Sequence, residues 1–301
     1  MGERALVTGG GGQLASEFEA RLAGAAAVAA PSRAKLDVTD DDAVARIFAE
    51  LRPTVVFNCA AFHNVDVCER EEDRAFAVNA RAVKRLAQRC AEHGARLVHM
   101  STNYVFDGTA SEPYVEDALP SPRNVYGMSK LAGEHAVLAY APGGLVVRTA
   151  GLYGLHGSVS KGGNFVTRMI ARAREQGSLR VVADQRLSPT FTADLAAAMV
   201  EAVERGTSGV LHLTSAGSCS WHEFTEAIVE LAGVDVPVEA TATARGAGEI
   251  DRPLNGVLAS PAAERLGLTP LRHWREALSD YMERAGLRAA VAPAVGGDGV
   301  G

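Results

Sequence analysis

Apolar and polar residues follow one another along the chain in blocks that predict strands and helices. The first apolar run, RALVT at 4–8, is closed by the glycines of GGGGQ and followed by a helix-like stretch over 13–22. A second apolar run at 26–30 then predicts a second strand. A glycine loop between an apolar run and a helix-like segment is typical of a strand, a turn and a helix, so the chain opens with that unit.

The same alternation continues through the first half of the chain. The expected strands are 54–58, 96–100 and 144–148, and the expected helices are 40–51, 73–93 and 126–140. Strands separated by helices form a parallel sheet covered on both faces. We therefore predict an α/β fold with a Rossmann-type, doubly wound parallel sheet, in which ligands bind beyond the carboxyl ends of the strands.

After residue 153 the pattern becomes looser and richer in glycine. The expected helices are 165–175, 192–204, 222–232 and 272–284, and a strand is expected at 210–213. We predict a dinucleotide-binding domain over 1–153 and a smaller C-terminal, substrate-binding lobe over 154–285, with segments that return to the first domain. Residues 286–301 contain mostly small residues, Gly and Pro, and are expected to be a disordered tail.

The composition narrows the class of protein. The 301 residues are 47% hydrophobic, which is enough for a large buried core. A net charge of −6 and the absence of a Lys/Arg cluster argue against nucleic acid as a partner. The four cysteines form no CxxC pair, so neither a disulfide framework nor a metal site is predicted. Without a signal peptide or a membrane-length apolar run, a cytoplasmic protein with no membrane partner is expected.

The loop after the first strand has the spacing of a dinucleotide site. Gly9, Gly12 and Ala15 form a Gly-x-x-Gly-x-x-Ala pattern between the strand and the helix. Glycines let the backbone approach a pyrophosphate, whose charge then meets free amides at the helix N-terminus. An ordinary glycine turn is the alternative, but the strand, loop and helix context favours a dinucleotide.

The end of the second strand bears on the choice of cofactor. An acidic residue there bonds the adenosine ribose of NADH, whereas an Arg accommodates the 2'-phosphate of NADPH. The chain has Ser32 and Arg33 at this point. Ser32 could donate a hydrogen bond, and Arg33 could face the phosphate or extend into solvent, so NADPH is preferred and NADH is the second option. Asp37 could contact the adenine or cap the next helix.

The segment NVYGMSK at 124–130 places a phenol and an ammonium four residues apart at the start of a predicted helix. Residues i and i+4 share a face, so Lys130 is expected near the Tyr126 hydroxyl, where its charge would lower the pKa of the phenol. That phenol can protonate a ketone oxygen as the ketone receives a hydride. Ser101 and Thr102, which end the fourth strand, could bond the same oxygen. A surface Tyr and Lys is the alternative.

These motifs occur in an order that carries a family resemblance. Between residues 4 and 281 the sequence contains GGGGQL, LDVTD, NCAAFHNVDVCE, STNYVFDG, NVYGMSKLAGE, RTAGLYG, GGNFVTRM, DQRLSPTFTADLA and RPLNGVL. The chain resembles the dTDP-4-dehydrorhamnose reductase family, sugar-nucleotide 4-ketoreductases among the extended short-chain dehydrogenase/reductases. The resemblance implies NADPH-dependent reduction of the 4-keto group of a dTDP-4-keto-6-deoxyhexose in deoxysugar biosynthesis. A nucleotide sugar is the expected partner, and a homodimer is an open option.

The resemblance also implies roles for individual residues. Tyr126 would be the proton donor, Lys130 would also bond the nicotinamide ribose, and Thr102 would steady the carbonyl. With Ser32 and Arg33 included, the expected cofactor-binding residues are Gly9, Gly12, Gln13, Leu14, Ser32, Arg33, Asp37, Val38, Ala60, Ala61, His63, Tyr126 and Lys130. The expected substrate-binding residues are Val65, Thr102, Asn103, Gly151, Asn164 and Arg252, the last two at the nucleotide diphosphate.

The chain departs from the family pattern at two of these positions. Family members usually have Asp where this chain has Asn103, and several have Trp where it has Gly151. The first change removes a charge, and the second predicts a roomier sugar pocket, so the particular 4-ketosugar stays open. Some relatives bind magnesium through several glutamates at a dimer contact. Only Glu17 matches here, so no metal is predicted.

Two other functions are compatible with the fold. A sugar-nucleotide dehydratase would place an Asp-Glu pair where Asn103 and Tyr104 stand, which disfavours that activity. The chain also resembles the methionine adenosyltransferase regulatory subunit, so a non-catalytic NADP-binding regulatory subunit is the alternative function. That function does not require Tyr126 and Lys130 in register with Thr102. The reductase is therefore the preferred hypothesis.

Overall fold

The centre of the fold is a parallel β-sheet. A computed structural model provides the structure and describes residues 4–22, 27–156 and 162–289. The elements of the first half are, in chain order, β1 (Arg4–Thr8), α1 (Gln13–Arg21), β2 (Ala27–Ala29), α2 (Asp41–Leu51), β3 (Val55–Asn58), α3 (Val65–Arg70), α4 (Glu72–Phe76), α5 (Ala82–Glu92), β4 (Arg96–Thr102), α6 (Val125–Tyr140) and β5 (Leu145–Thr149). The elements of the second half are β6 (Leu152–Tyr153), α7 (Phe165–Gln176), β7 (Leu179–Val182), β8 (Arg186–Leu187), β9 (Thr190–Phe191), α8 (Thr192–Glu204), β10 (Gly209–His212), β11 (Cys219–Ser220), α9 (Trp221–Leu231), β12 (Val238–Thr241), α10 (Pro261–Arg265) and α11 (Trp274–Arg284).

The strand order identifies the sheet as doubly wound. Across the six-stranded sheet the order is β2-β1-β3-β4-β5-β10, and every neighbouring pair is parallel. The chain moves from β1 outward to β2 and returns to β3 on the other side of β1, so the topological switch point lies between β1 and β3. The predicted α/β class with a Rossmann-type parallel sheet is confirmed.

Each face of the sheet has its own apolar layer. On one face α1 and α8 cover the sheet, with Phe18 and Met199 fully buried against Val7. On the other face α2, α5 and α6 do so, with Phe48 and Val137 in the core. Because both faces are covered, β3 and β5 are buried along their whole length, and their sequences are almost continuous apolar runs.

The helix predicted over 73–93 is interrupted. The structure has α4, then a π-helical turn over Ala77–Arg81, then α5. Within this turn Asn79 is fully buried, and its side chain accepts a hydrogen bond from the Phe62 amide (2.9 Å) and donates to the Phe62 carbonyl (2.9 Å). It also donates to the Ser129 hydroxyl on α6 (3.0 Å). A π-helical turn is typical of functional sites, and this one fixes the loop after β3 to α6.

The C-terminal half adds a second core that is rich in aromatic residues. Tyr153, Phe191, Phe224, Trp274 and Tyr281 pack together between α7, α9 and α11. Two elements from this half, α8 and β10, belong to the layers of the main sheet instead. A division into a domain over 1–153 and a lobe over 154–285 with returning segments stays a prediction.

The tail predicted over 286–301 includes residues that pack against the rest of the protein. Leu287 packs against the aromatic core, and the Ala289 amide donates to the Leu231 carbonyl (3.0 Å). The remainder of the predicted tail, 290–301, lies outside the described residues. Within the described ranges, no helix combines the length and apolar character needed to cross a membrane.

Candidate active site

The carboxyl ends of the central strands bring several predicted site residues to one edge of the sheet. Gly9 follows β1, Ala60 follows β3, and Thr102 ends β4 beside Thr149 at the end of β5. Helix α6 begins at this edge because Asn124 caps it, accepting a hydrogen bond from the Gly127 amide (2.8 Å). The cap places Tyr126 in the first turn of α6.

The glycine loop forms a cradle that leaves no room for a side chain at Gly9. Gly9 has φ of +77°, and a Cβ there would lie 2.9 Å from the Ala60 nitrogen. Gly12 is the N-cap of α1 without a side-chain cap, so the first amides of the helix keep their hydrogens for a ligand. The buried side-chain oxygen of Gln13 has no hydrogen-bond partner at this place. The cradle therefore fits the diphosphate of a dinucleotide, and Leu14 lies buried in the first turn of α1 behind it.

The end of this site that was predicted to bind adenosine is open to solvent. Ser32 and Arg33 are exposed, and the Arg33 guanidinium lies 3.4 Å from one oxygen of Asp37. The other Asp37 oxygen accepts hydrogen bonds from the amide (2.9 Å) and hydroxyl (2.7 Å) of Thr39, which together with Arg33 hold the pKa of Asp37 below its usual range. Asp40, and not Asp37, caps α2. Val38 is buried beside this segment.

Lys130 extends beneath the sheet edge and does not act on the phenol as expected. Its side chain is only 2% exposed, its ammonium donates to the Met100 carbonyl, and its nitrogen lies 3.3 Å from Nε2 of His99. Burial lowers the pKa of Lys130 to about 8, although the charge of Glu134 opposes that change.

Tyr126 lies partly buried in an edge-to-face contact with Tyr104, with ring centroids 5.6 Å apart. Burial raises the pKa of Tyr126, and a hydrogen bond with the Thr102 hydroxyl opposes the rise. The expectation that Lys130 lowers this pKa is wrong for the structure, because the Lys130 nitrogen is directed at Met100 and His99 and desolvation of the phenolate dominates. The phenol is therefore protonated at neutral pH, which is the state that a proton donor needs.

The two hydroxyls at the end of β4 have different surroundings. Thr102 donates toward Asn103 (3.3 Å) and accepts from the Tyr104 amide (3.2 Å), at the same edge as Tyr126. Ser101 is instead hydrogen-bonded to the buried carboxylate of Glu134, below the edge. The expectation that Ser101 bonds the substrate oxygen is therefore wrong for this arrangement, whereas the role of Thr102 stays a prediction.

Five more predicted residues lie on segments close to the Tyr104 and Tyr126 pair. Val65 begins α3, and the next residue, Asp66, accepts a hydrogen bond from the Arg252 guanidinium (2.7 Å). Arg252 is close enough to Tyr104 to influence its pKa, which places this guanidinium at the Tyr104 and Tyr126 pair. The loop that carries Ala60, Ala61 and His63 is partly buried and held by the Asn79 contacts described above.

The space above Gly151 is filled rather than open. Gly151 has φ of +55°, and a Cβ there would lie 2.6 Å from Cδ1 of Leu187 and 3.2 Å from Cα of Pro189. A Trp at this position would need an unfavourable backbone conformation and would collide with Leu187. The prediction that Gly151 alone makes the pocket roomier is therefore wrong, because buried Leu187 occupies the space. Asn103 is buried nearby against Gly256, whose amide bonds the carbonyl of the residue before Leu187.

Asn164 serves as a helix cap. It is buried, its side-chain oxygen accepts from the Thr167 amide (3.0 Å), and its nitrogen donates to the Gly154 carbonyl (2.8 Å) and the Tyr281 hydroxyl (2.8 Å). Both amide hydrogens are therefore used inside the aromatic core. The structure does not bring Asn164 to the other predicted residues as a diphosphate contact.

Sequence reasoning missed residues that support the site from below. Asn79, His99 and Leu187 were assigned no role, although the first two are polar residues within otherwise apolar segments.

A groove of about 600 Å³ also adjoins the site, lined by Arg123, Asp184, Arg186, Arg245, Asp251 and Asn255 among others. No cluster of three His, Cys, Asp or Glu side chains suited to a metal ion occurs in the part of the chain that is described.

The fold and the site define a class of protein. A glycine cradle on a Rossmann-type sheet, with Tyr126 and Lys130 on the helix beside Thr102, is the arrangement of an extended short-chain dehydrogenase/reductase. The chain belongs to the family described as the RmlD substrate binding domain, whose model matches residues 3–286.

Individual relatives support this membership over nearly the whole chain. The chain is 42% identical to the dTDP-4-keto-6-deoxy-D-glucose reductase of Streptomyces niveus, over 93% of this chain and 96% of that protein. It is 43% identical to the dTDP-4-dehydrorhamnose reductase of Streptomyces griseus, over 92% of each. Its structure matches that of the Bacillus anthracis dTDP-4-dehydrorhamnose reductase in complex with NADP, with a TM-score of 0.89 and 34% identity over 94% of this chain and 100% of that one. The predicted family is confirmed.

Proposed function

We propose that the protein uses NADPH to reduce the 4-keto group of a dTDP-linked 4-keto-6-deoxyhexose. The observation that carries the proposal is the position of a protonated phenol, Tyr126, beside the Thr102 hydroxyl at the sheet edge that also bears the glycine cradle. The relatives named above are reductases of dTDP sugars, which supports both the reaction and the substrate class.

The residues present account for the steps of a carbonyl reduction. NADPH, when bound, would supply the hydride for the carbonyl carbon. Tyr126 donates its phenolic proton to the carbonyl oxygen as the C=O double bond becomes a C–O single bond, which is general acid catalysis. Thr102 donates a hydrogen bond to the same oxygen and holds it against the phenol. Lys130 would bond the ribose of the cofactor, and Arg252 would face the diphosphate of the substrate.

The cofactor preference follows from the open adenosine end. Arg33 is exposed and, among the described residues, forms an ion pair with Asp37 alone, so it can turn to a 2'-phosphate without loss of a buried contact. The structural relative in complex with NADP supports the same choice. A cytoplasmic location and a homodimer, both expected from the sequence, stay predictions.

The competing function is the non-catalytic regulatory subunit. Such a protein would bind NADP but would not turn over, so an assay of NADPH oxidation with a panel of nucleotide 4-ketosugars separates the two functions. We expect sugar-dependent oxidation of NADPH by the unmodified protein. Tight NADPH binding with no oxidation for any sugar in the panel would favour the regulatory function.

The key variant is Tyr126→Phe, which removes the proton donor and little else. We expect turnover to fall by at least about a hundredfold while the Kd for NADPH stays within about twofold, because general acid catalysis contributes 10²–10⁴-fold. Tyr140→Phe is the matched control, since Tyr140 lies exposed at the other end of α6. Near-normal turnover of Tyr126→Phe would contradict the assignment of the proton donor.

A further inference from the structure

A line of buried hydrogen bonds connects the glycine loop to Lys130. The Ala60 amide donates to the Thr8 hydroxyl (3.3 Å), which donates to the side-chain oxygen of Asn58 (2.6 Å). The Asn58 nitrogen lies 2.9 Å from Nδ1 of His99, and Nε2 of His99 lies 3.3 Å from the nitrogen of Lys130. Thr8, Asn58, His99 and Lys130 are each at most 2% exposed.

The direction of these hydrogen bonds fixes the tautomer of His99. The Thr8 hydroxyl has one hydrogen, and the oxygen of Asn58 is its acceptor, so the NH₂ group of Asn58 faces the imidazole. That NH₂ group can only donate, which makes Nδ1 of His99 the acceptor and leaves the ring hydrogen on Nε2. The N–H of His99 therefore points at Lys130, a residue that also donates to the Met100 carbonyl.

The surroundings of Lys130 make this orientation consequential. An amine nitrogen has a lone pair that can accept from an imidazole N–H, whereas an ammonium has none. The titratable groups that face Lys130 are Glu134 on its own helix, Cys59 after β3 and His99 on β4. Burial, and secondarily the charge of Lys130, hold the pKa of His99 well below its usual range, so the ring is neutral.

We propose that His99 is a positioning residue for the reduction: by directing Nε2–H at the Lys130 nitrogen, it disfavours the ammonium relative to the amine and so sets the pH at which Lys130 changes protonation state. Thr8 and Asn58 set this orientation from the ends of β1 and β3, and they are connected to Lys130 only through His99. The inference rests on the proposed role of Lys130 in catalysis, but the state of Lys130 can be measured without substrate.

The measurement is an NMR titration of the protein labelled with ¹³C at the lysine ε-carbon. The chain has four lysines, and the Lys130 signal is assigned by its loss in Lys130→Arg. We expect a titration near pH 8 in the unmodified protein, since burial lowers the pKa of Lys130 to about 8. His99→Leu should raise this pKa by about one unit, because it removes the Nε2–H that points at Lys130 and disfavours the ammonium.

Two further variants separate orientation from simple packing. His99→Gln can accept from Asn58 with its oxygen and donate to Lys130 with its nitrogen, so it should keep the titration near that of the unmodified protein. Thr8→Val does not touch Lys130, but it frees Asn58 to turn over and lets His99 accept from the ammonium. It should therefore also raise the pKa of Lys130. Because it is isosteric, Thr8→Val keeps the test available where His99→Leu fails to fold.

The control is His212→Gln, which alters another buried histidine of the same sheet. His212 lies on β10 and contacts the carbonyls of Tyr114 and Ala259, not Lys130. We expect no change in the Lys130 titration. An unchanged or lowered pKa of Lys130 in both His99→Leu and Thr8→Val would overturn the proposal.

The pH profile of NADPH oxidation provides the functional readout. If reduction requires the Lys130 ammonium, activity at saturating NADPH declines as pH rises through the pKa of Lys130, and the decline should move to higher pH in His99→Leu and Thr8→Val. A shifted NMR titration with an unshifted activity profile would support the role of His99 and count against the proposed role of Lys130 in the reaction.

Discussion

Two buried polar clusters lie four residues apart on the same face of α6, and they differ in how their charges are satisfied. Glu134 forms a bidentate ion pair with Arg148, at 2.7 and 2.9 Å, and also bonds Ser101. Both ionised side chains are almost completely buried. Lys130 is equally buried, but among the described residues no carboxylate lies within ion-pair distance of it, and its partners are a carbonyl and the neutral ring of His99.

The difference separates a group that maintains the fold from one suited to reaction. A buried charge with a matched, hydrogen-bonded partner keeps its ionisation state, and removal of either partner is costly. A buried charge without such a partner has a shifted pKa and can change state near neutral pH. The pKa of Lys130 near 8 and the ion pair of Glu134 show both outcomes on adjacent turns of one helix.

The largest expected effect is the loss of stability in Glu134→Leu. This change leaves the Arg148 guanidinium buried without its partner, so we expect the free energy of unfolding to fall by about 3–5 kcal/mol. Urea denaturation followed by circular dichroism measures it. In Glu134→Leu with Arg148→Met, both charges are absent, and we expect most of the stability to return. A single variant as stable as the unmodified protein would show that the pair contributes no net stability.

In contrast to Glu134→Leu, Lys130→Met should reduce activity without reducing stability. We expect turnover to fall by at least about a hundredfold and NADPH affinity to weaken, while the free energy of unfolding stays the same or rises near pH 7, because a buried ammonium is removed.

The stability of this variant also has a defined pH dependence. Between pH 8 and 10.5 the unfolded chain holds a proton on Lys130 that the folded protein has released, so the stability of the unmodified protein should rise with pH relative to Lys130→Met. Thermal unfolding across this range measures the difference. A difference that falls with pH would mean that Lys130 is more basic in the folded protein than in the unfolded one.

Arg33 extends the comparison to a charged residue with little structural role. Its side chain is 65% exposed, and its ion pair with Asp37 at 3.4 Å should contribute almost nothing to stability. We expect Arg33→Asp to change the ratio of kcat/KM for NADPH over NADH by about a hundredfold at low salt, because attraction to the 2'-phosphate becomes repulsion. Arg46→Asp on the exposed side of α2 is the control. Equal use of both cofactors by the unmodified protein would show that Arg33 has no contact with the phosphate.

The sequence was most informative where local patterns determine the structure. The apolar runs of β1, β3, β4 and β5 and the glycine loop predicted the sheet and its ligand-binding edge, because both depend on short-range spacing. The NVYGMSK segment likewise predicted that Tyr126 and Lys130 share a helix. The break at Asn79 was missed, since it arises from hydrogen bonds to a loop 17 residues away in sequence.

The details of the site depend on contacts that the sequence does not reveal. The i, i+4 spacing could not show that Lys130 is directed at His99, or that burial dominates the pKa of Tyr126. Asn164 looked like a ligand contact, but its hydrogen bonds are completed by Gly154 and by Tyr281, 117 residues away. Distant packing partners, rather than local spacing, decide which polar groups remain available for a ligand.

The smallest expected effect concerns Leu187, a buried side chain that we expect to influence selectivity among sugar substrates. Leu187 fills the space over Gly151. The preceding residue, Arg186, accepts a hydrogen bond from the Gly256 amide, and Gly256 lies against Asn103. We infer that its side chain forms a wall of the sugar pocket, so Leu187→Ala should admit bulkier ring substituents.

The measurement for Leu187 is the ratio of kcat/KM values for two dTDP-4-ketosugars that differ at one ring carbon. We expect Leu187→Ala to change this ratio by about tenfold, the lower end of the discrimination that one methylene provides in an apolar pocket. Leu179→Ala is the control, because Leu179 is equally buried but packs in a separate apolar cluster of β7 and α9. Both variants lose core volume and should lose stability, so only a change in the ratio tests the wall. If the two variants changed the ratio equally, general loosening of the C-terminal half would explain it, and Leu187 would have no specific place in the pocket.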